Sequence, residues 1–126
     1  MAIKKGISFS ILVVIALVLA ILYLHFRQDL VGVKVTVINE SDGTFSTITA
    51  HFSGGIKVLG SLRPGEKKSL LINPRGESSL TLEYQDPVLK THRELIDVYF
   101  ENGYGGKLII WLEKSGGIRW KNDIQI

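Results

Sequence analysis

Across its 126 residues the chain carries 15 Lys and Arg against 12 Asp and Glu, a formal net charge of +3, and no cysteine. Disulfide staples and lipid attachment at a cysteine are therefore excluded. Lys4 and Lys5 supply most of the excess charge: without them, 13 basic residues stand against 12 acidic ones, interspersed along the chain with no basic block. Nucleic-acid binding requires a concentrated basic face, so no nucleic-acid partner is expected.

The first element is Ile7–Phe26, an apolar run free of Asp, Glu, Lys and Arg. Twenty residues of helix rise about 30 Å, the thickness of a bilayer's hydrocarbon core. The lipid bilayer is thus the first expected partner. Lys4 and Lys5 precede the run, whereas Arg27, Asp29 and Lys34 mix signs beyond it. The excess of lysine in the short leading tail favours a cytoplasmic N-terminus. Tyr23, His25 and Phe26 gather at the far end, where amphipathic rings suit the membrane interface. The resulting division is a cytoplasmic tail at 1–6, a transmembrane helix at 7–26, a linker at 27–31 and an extracytoplasmic domain at 32–126. The expected location is a bacterial inner membrane, crossed once.

Three fates are open to the helix. It can remain as an anchor. It can be a secretory signal cut near Val18-Leu19-Ala20, although Ile21-Leu22-Tyr23-Leu24 prolongs the apolar run beyond the usual 7–15 residues. The third fate follows from a resemblance: Lys4-Lys5-Gly6 and the helix after it resemble the leader of type IV-like pilins, which implies a cut after Gly6. Bacterial members of that family carry Glu at the fifth mature position, and here that position is Ile11.

After residue 30 the pattern changes to strict alternation, the mark of half-buried strands. Val33, Val35 and Val37 share one face. So do Ile48, Ala50 and Phe52; Leu80, Leu82 and Tyr84; Ile96, Val98 and Phe100; and Leu108, Ile110 and Leu112. In the last segment Ile118, Trp120, Ile124 and Ile126 oppose Arg119, Lys121, Asp123 and Gln125, which predicts Trp120 in the core. Turn clusters punctuate the strands at 40–43, 54–55, 63–66, 73–76, 85–87, 102–106 and 115–117, rich in Gly, Pro, Asn and Asp. The fold expected is all-β, an antiparallel sandwich of seven or eight strands.

A second resemblance concerns this domain. Val35-x-Val37-x-Asn39 with Ser41 and Gly43 resembles the opening strand of bacterial immunoglobulin-like domains, and Leu62-x-Pro64-Gly65-Glu66 resembles a turn they carry midway. Pro74-Arg75-Gly76-Glu77-Ser78, Asp97-Val98-Tyr99 and Gly103-Tyr104-x-Gly106 are similar to small single-span envelope proteins of Gram-negative bacteria. These motifs speak of fold; the resemblance implies no functional residue.

Motifs of chemistry do not emerge. His25, His51 and His92 lie on separate elements, and with no Cys and Met1 the sole methionine the ligand sets of zinc and copper sites are missing. No Gly-x-Ser-x-Gly occurs, and the serines crowd into turns. No catalytic residue, metal, cofactor or small-molecule substrate is expected. Three residues stand out as candidate protein-binding anchors. Tyr104 lies in the glycine-rich loop, and Ile109 and Trp111 fall on the outer phase of their strand. The function expected is that of a membrane-anchored, non-catalytic accessory subunit docking on another membrane or envelope protein. The alternatives are a pilin-like filament subunit and a cell-wall or carbohydrate-binding module.

Overall fold

The computed structural model describes residues 8–126, and for 27–30 the backbone alone. The lysine flank and the proposed cut after Gly6 lie outside the described residues. The first element, α1, spans Phe9–Leu30. Ser8 caps it: its carbonyl accepts from Leu12 N at 3.1 Å and its hydroxyl from Ile11 N at 3.4 Å. The helix runs through positions 27–30, which the sequence reading had placed in the linker. Apolar all round, its side chains from Phe9 to Phe26 are exposed. Such a surface calls for lipid or other apolar cover, and α1 is long enough to cross a membrane. A membrane anchor and a signal sequence both meet that test.

The second unit, Val31–Ile126, contains eight strands. They are β1 (Val33–Asn39), β2 (Phe45–Phe52), β3 (Gly55–Leu62), β4 (Lys67–Ile72), β5 (Ser78–Gln85), β6 (Thr91–Phe100), β7 (Gly105–Leu112) and β8 (Ile118–Gln125). One sheet has the order β4-β1-β7-β8 and the other β3-β2-β5-β6. All pairs are antiparallel except β1 and β7, which run parallel with Val35 beside Leu108 and Val37 beside Ile110. The expected antiparallel sandwich is thus mixed in one sheet. Period-2 alternation is the same in both kinds of strand, so the sequence bears no trace of this pair.

The inner phases meet in one core. Val33, Val35, Val37, Leu108, Ile110 and Leu112 come from the first sheet; Ile48, Leu80, Leu82, Tyr84, Ile96 and Phe100 come from the second. Each large aliphatic side chain removed from water contributes roughly 1.5–3 kcal/mol. With no disulfide, that burial and the strand ladders carry the fold.

Asn39 is the polar pin between the layers. It is fully buried at the end of β1. Its Nδ2 donates to the carbonyls of Gly43 at 2.8 Å and Leu62 at 2.9 Å, while its Oδ1 accepts from the backbone N and hydroxyl of Ser41. Gly65 N donates to the Asn39 carbonyl, and Asn39 N to the Glu66 carbonyl. One side chain therefore ties β1 to the segments leading into β2 and out of β3, in the opposite sheet. A buried amide is stabilising only when satisfied in this way. The opening-strand and midway-turn motifs noted in the sequence converge on this side chain.

Trp120 departs from expectation. It holds the inner phase opposite Ile110, yet it is 38% exposed and lies outside the core. The reason is its strand: β8 is the last of its sheet, so its inner face looks past the rim. The backbone there is partly blunted, because Asn122 Oδ1 accepts from Ile124 N at 3.0 Å. On the opposite side two lysines close the gap between the sheets, Lys57 Nζ donating to the Leu71 carbonyl and Lys68 Nζ to the Ser61 carbonyl.

Candidate interaction surfaces

The three candidate anchors are all half-buried. Tyr104 closes a turn, its N donating to the Glu101 carbonyl at 3.1 Å. Its ring packs against the core and meets Tyr99 edge-on at 6.3 Å. Ile109 sits between Thr36 of β1 and Lys121 of β8. Trp111 lies beneath a cation: the Arg119 guanidinium stands 4.1 Å from the ring centroid. Arg119 is itself held by Glu40 at 3.1 Å and Glu113 at 3.3 Å. Trp111 packs on its neighbouring strand. The three do not form one patch, since Tyr104 belongs to the end turn and the other two to a sheet face.

Strand register sets what each sheet shows to solvent. On the first sheet the outer phase brings together Lys34, Thr36 and Ile38 of β1; Lys67, Ser69 and Leu71 of β4; Lys107, Ile109 and Trp111 of β7; and Arg119, Lys121 and Asp123 of β8. Lys34, Lys67, Lys107 and Lys121 are exposed. None of them makes an ion pair among the described residues. This is a basic face, and the sequence reading found no basic block because the lysines come from separate strands. A cross-strand neighbour is invisible in sequence until register is known.

The outer face of the second sheet is different. Ile56 is 60% exposed and Val58 70%, both on edge strand β3; Leu95 is 58% and Tyr99 53%, both on the other edge strand, β6. Between them run His51, Thr49, Thr81 and Glu83. Glu83 is bound to Arg93 at 2.9 Å and lies 3.9 Å from His51, while Asp97, exposed between Leu95 and Tyr99 on β6, makes no ion pair among the described residues. Tyr99 donates to Glu101, and that bond is the main cause that holds its phenol proton on above the usual range. An open depression of about 440 Å³ beside Tyr99 is lined by Glu77, Ser78, Ser79, Asp97 and Val98. Sequence alternation marked Leu95 and Tyr99 as outer-phase, but the strand of Ile56 and Val58 yielded no such reading.

One further cluster closes the β5–β6 turn. Asp86 accepts from His92 at 2.8 Å and from the backbone N of Lys90 and Val88 at 2.9 and 3.0 Å. These bonds, His92 first, hold its carboxyl below the ordinary 3.8. His92 stacks on Tyr84 at 5.1 Å, and Phe45 flanks Tyr84 at 5.5 Å. The Tyr84 hydroxyl is buried without a hydrogen-bond partner. Burial, then the Glu94 and Asp86 charges, push its pKa up to about 12. This arrangement braces a turn. Among the described residues no group of three or more His, Cys, Asp or Glu side chains converges to hold a metal.

Fold and surfaces together define an eight-stranded, two-sheet sandwich preceded by one apolar helix. No family model matches the chain, and no curated protein matches it. A solution NMR structure of a protein from Eubacterium rectale is similar, with a TM-score of 0.51 and 9% identity over 72% of this chain and 87% of that one. At such low identity the likeness concerns the fold alone.

Proposed function

We propose that the chain is a membrane-anchored, non-catalytic accessory protein. An immunoglobulin-like sandwich is held on the periplasmic side of a bacterial inner membrane, and it docks on another envelope protein. The observation that carries this reading is the second sheet's outer face, where Ile56, Val58, Leu95 and Tyr99 stay exposed. Side chains of that size normally find cover, and exposed apolar groups gathered on one face favour a protein partner. The face is about three strand spacings wide, roughly 14 Å, so one partner can reach both apolar margins. The Phe9–Phe26 stretch of α1, exposed and apolar, supports the anchor. The cell-wall reading would place its contacts at Tyr104 and Trp111, both half-buried.

Photo-crosslinking residues placed at Val58 and at Leu95 in native membranes test the proposal. Both positions are expected to capture a protein of the same mass, whereas position 107 captures none of it. Leu95→Glu is expected to abolish capture from position 58. Adducts absent at both margins, or equal at all three positions, would overturn the docking face.

A further inference from the structure

We infer that the basic outer face of the first sheet binds the phosphate headgroups of anionic phospholipids in the membrane that α1 enters. The inference rests on the anchor reading above. Its first support is charge. Lys34, Lys67, Lys107 and Lys121 project from four different strands onto one face; within its strands the outer-phase carboxylate is Asp123, across from Lys107 but not ion-paired with it, and Glu40 and Glu113 stand at the rim. Arg119 is already engaged by Glu40 and Glu113, and its neutralised site caps the face at the Trp111 end. Lysines left without a carboxylate partner keep their attraction for an outside anion.

The second support is reach. Only Val31 and Gly32 stand between the last helical residue and β1. Lys34 follows Leu30 by four residues, so even extended chain carries it about 14 Å from the helix end. With a bilayer around α1, Lys34 cannot leave the neighbourhood of the headgroups. Lys107 lies directly beside it in the parallel β1–β7 pair, and Lys121 pairs with Ile109 on the next strand. Gly32 stands just ahead of β1. Gly32 has φ +151°, and a Cβ there would collide with the backbone of Ile72. The third support is contrast, for the second sheet's outer face holds its Arg93 in an ion pair with Glu83 and offers no such cluster. A polybasic surface beside a membrane segment matches anionic lipid in chemistry and in position.

The test uses the full chain in nanodiscs of phosphatidylcholine, with or without phosphatidylglycerol at roughly 30%. Trp120→Phe leaves Trp111, on the basic face, as the only tryptophan, and quenching by neutral acrylamide reports its cover. Phosphatidylglycerol is expected to lower the quenching constant about two-fold, and about 0.5 M NaCl to restore it, because salt screens headgroup attraction. Lys34→Glu, Lys107→Glu and Lys121→Glu combined are expected to erase the difference, with circular dichroism unchanged because all three side chains are exposed. Equal quenching in the two discs would overturn the inference, and so would protection that survives the triple reversal. Co-elution with the disc reports the anchor and quenching reports the face, so the two readings can fail separately.

Discussion

The two outer faces of the sandwich are built by the same alternation and end up with opposite characters. On the first sheet the outer apolar groups Ile38, Ile109 and Trp111 are half-covered, and exposed lysines surround them. On the second, Ile56, Val58, Leu95 and Tyr99 stand open along the edges, with Glu83 paired to Arg93 and Asp97 exposed between Leu95 and Tyr99. The core demands only that every second residue be apolar, so the intervening positions are free to differ between sheets. What distinguishes the faces is the identity of those free positions and the register that sets them side by side. We propose an anionic surface as the partner of one face and a protein surface as that of the other.

The comparison breaks most sharply if one face can be dismantled while the other stands. Gly106 offers that cut. It sits near the start of β7 with φ +91°, opposite Ile124 of β8, and a Cβ there would run into the backbone of Asp123 and Gln125. Gly106→Ala is expected to cost about 2–3 kcal/mol through backbone strain and loss of the β7–β8 ladder. Urea unfolding of the full chain in detergent micelles measures that loss. Hydrogen exchange should locate it, with faster exchange through β8, which carries Arg119 and Lys121, and little change in β2 or β5. Uniform acceleration across both sheets would show that the two faces are not separable units.

How far the sequence foretold this division depends on which link is asked about. Inner-phase residues were legible because alternation reports burial directly: Val33, Val35 and Val37, Leu80, Leu82 and Tyr84, and Leu108, Ile110 and Leu112 are all buried. The turn clusters were legible because Gly, Pro, Asn and Asp act on their own backbone. Trp120 was misplaced because phase says which way a side chain points, while cover depends on whether a sheet lies opposite, and β8 ends its sheet. The lysine cluster stayed hidden for a related reason. Lys34 and Lys107 are neighbours only through the parallel β1–β7 pair, and nothing local in either strand encodes that partner. The candidate anchors show the same dependence: phase puts Trp111 on the outer face, and register then lays Arg119 of the adjacent strand across it.

A smaller effect sharpens the basic face. Arg119 links Trp111 below it to Glu40 and Glu113 beside it. All three ionic partners are about half exposed, so solvent screens the pairs and each contributes little. The cation–π contact adds about 0.5–1 kcal/mol. Arg119→Ala is therefore expected to cost only about 1 kcal/mol in total. Its more telling consequence is spectroscopic: Trp111 loses its cover, and its emission should shift to longer wavelength, with Trp120→Phe as background. An unchanged spectrum would mean that the strand neighbours, not Arg119, shield the ring.

The smallest expected change lies between the faces, at Tyr84. Its hydroxyl is buried without a partner, while its ring stacks on His92 and packs against Phe45. Tyr84→Phe keeps the ring contacts and removes a buried polar atom that gains nothing from burial, so stability at neutral pH should hold or rise by up to about 1 kcal/mol. The pH dependence follows from the raised pKa. The unfolded chain ionises this phenol near 10.0, whereas the folded one retains the proton to about 12. Stability tied to the neutral form is full below pH 10 and falls as pH climbs from 10 towards 12, because only the unfolded state then releases the proton. In urea titrations at pH 9 and pH 11, Tyr84→Phe should lose less stability than the wild type across that interval. Because Tyr84 faces the interior, neither the lysine cluster nor the apolar margins should respond. An altered response at either face would show that the core transmits between surfaces the fold otherwise keeps apart.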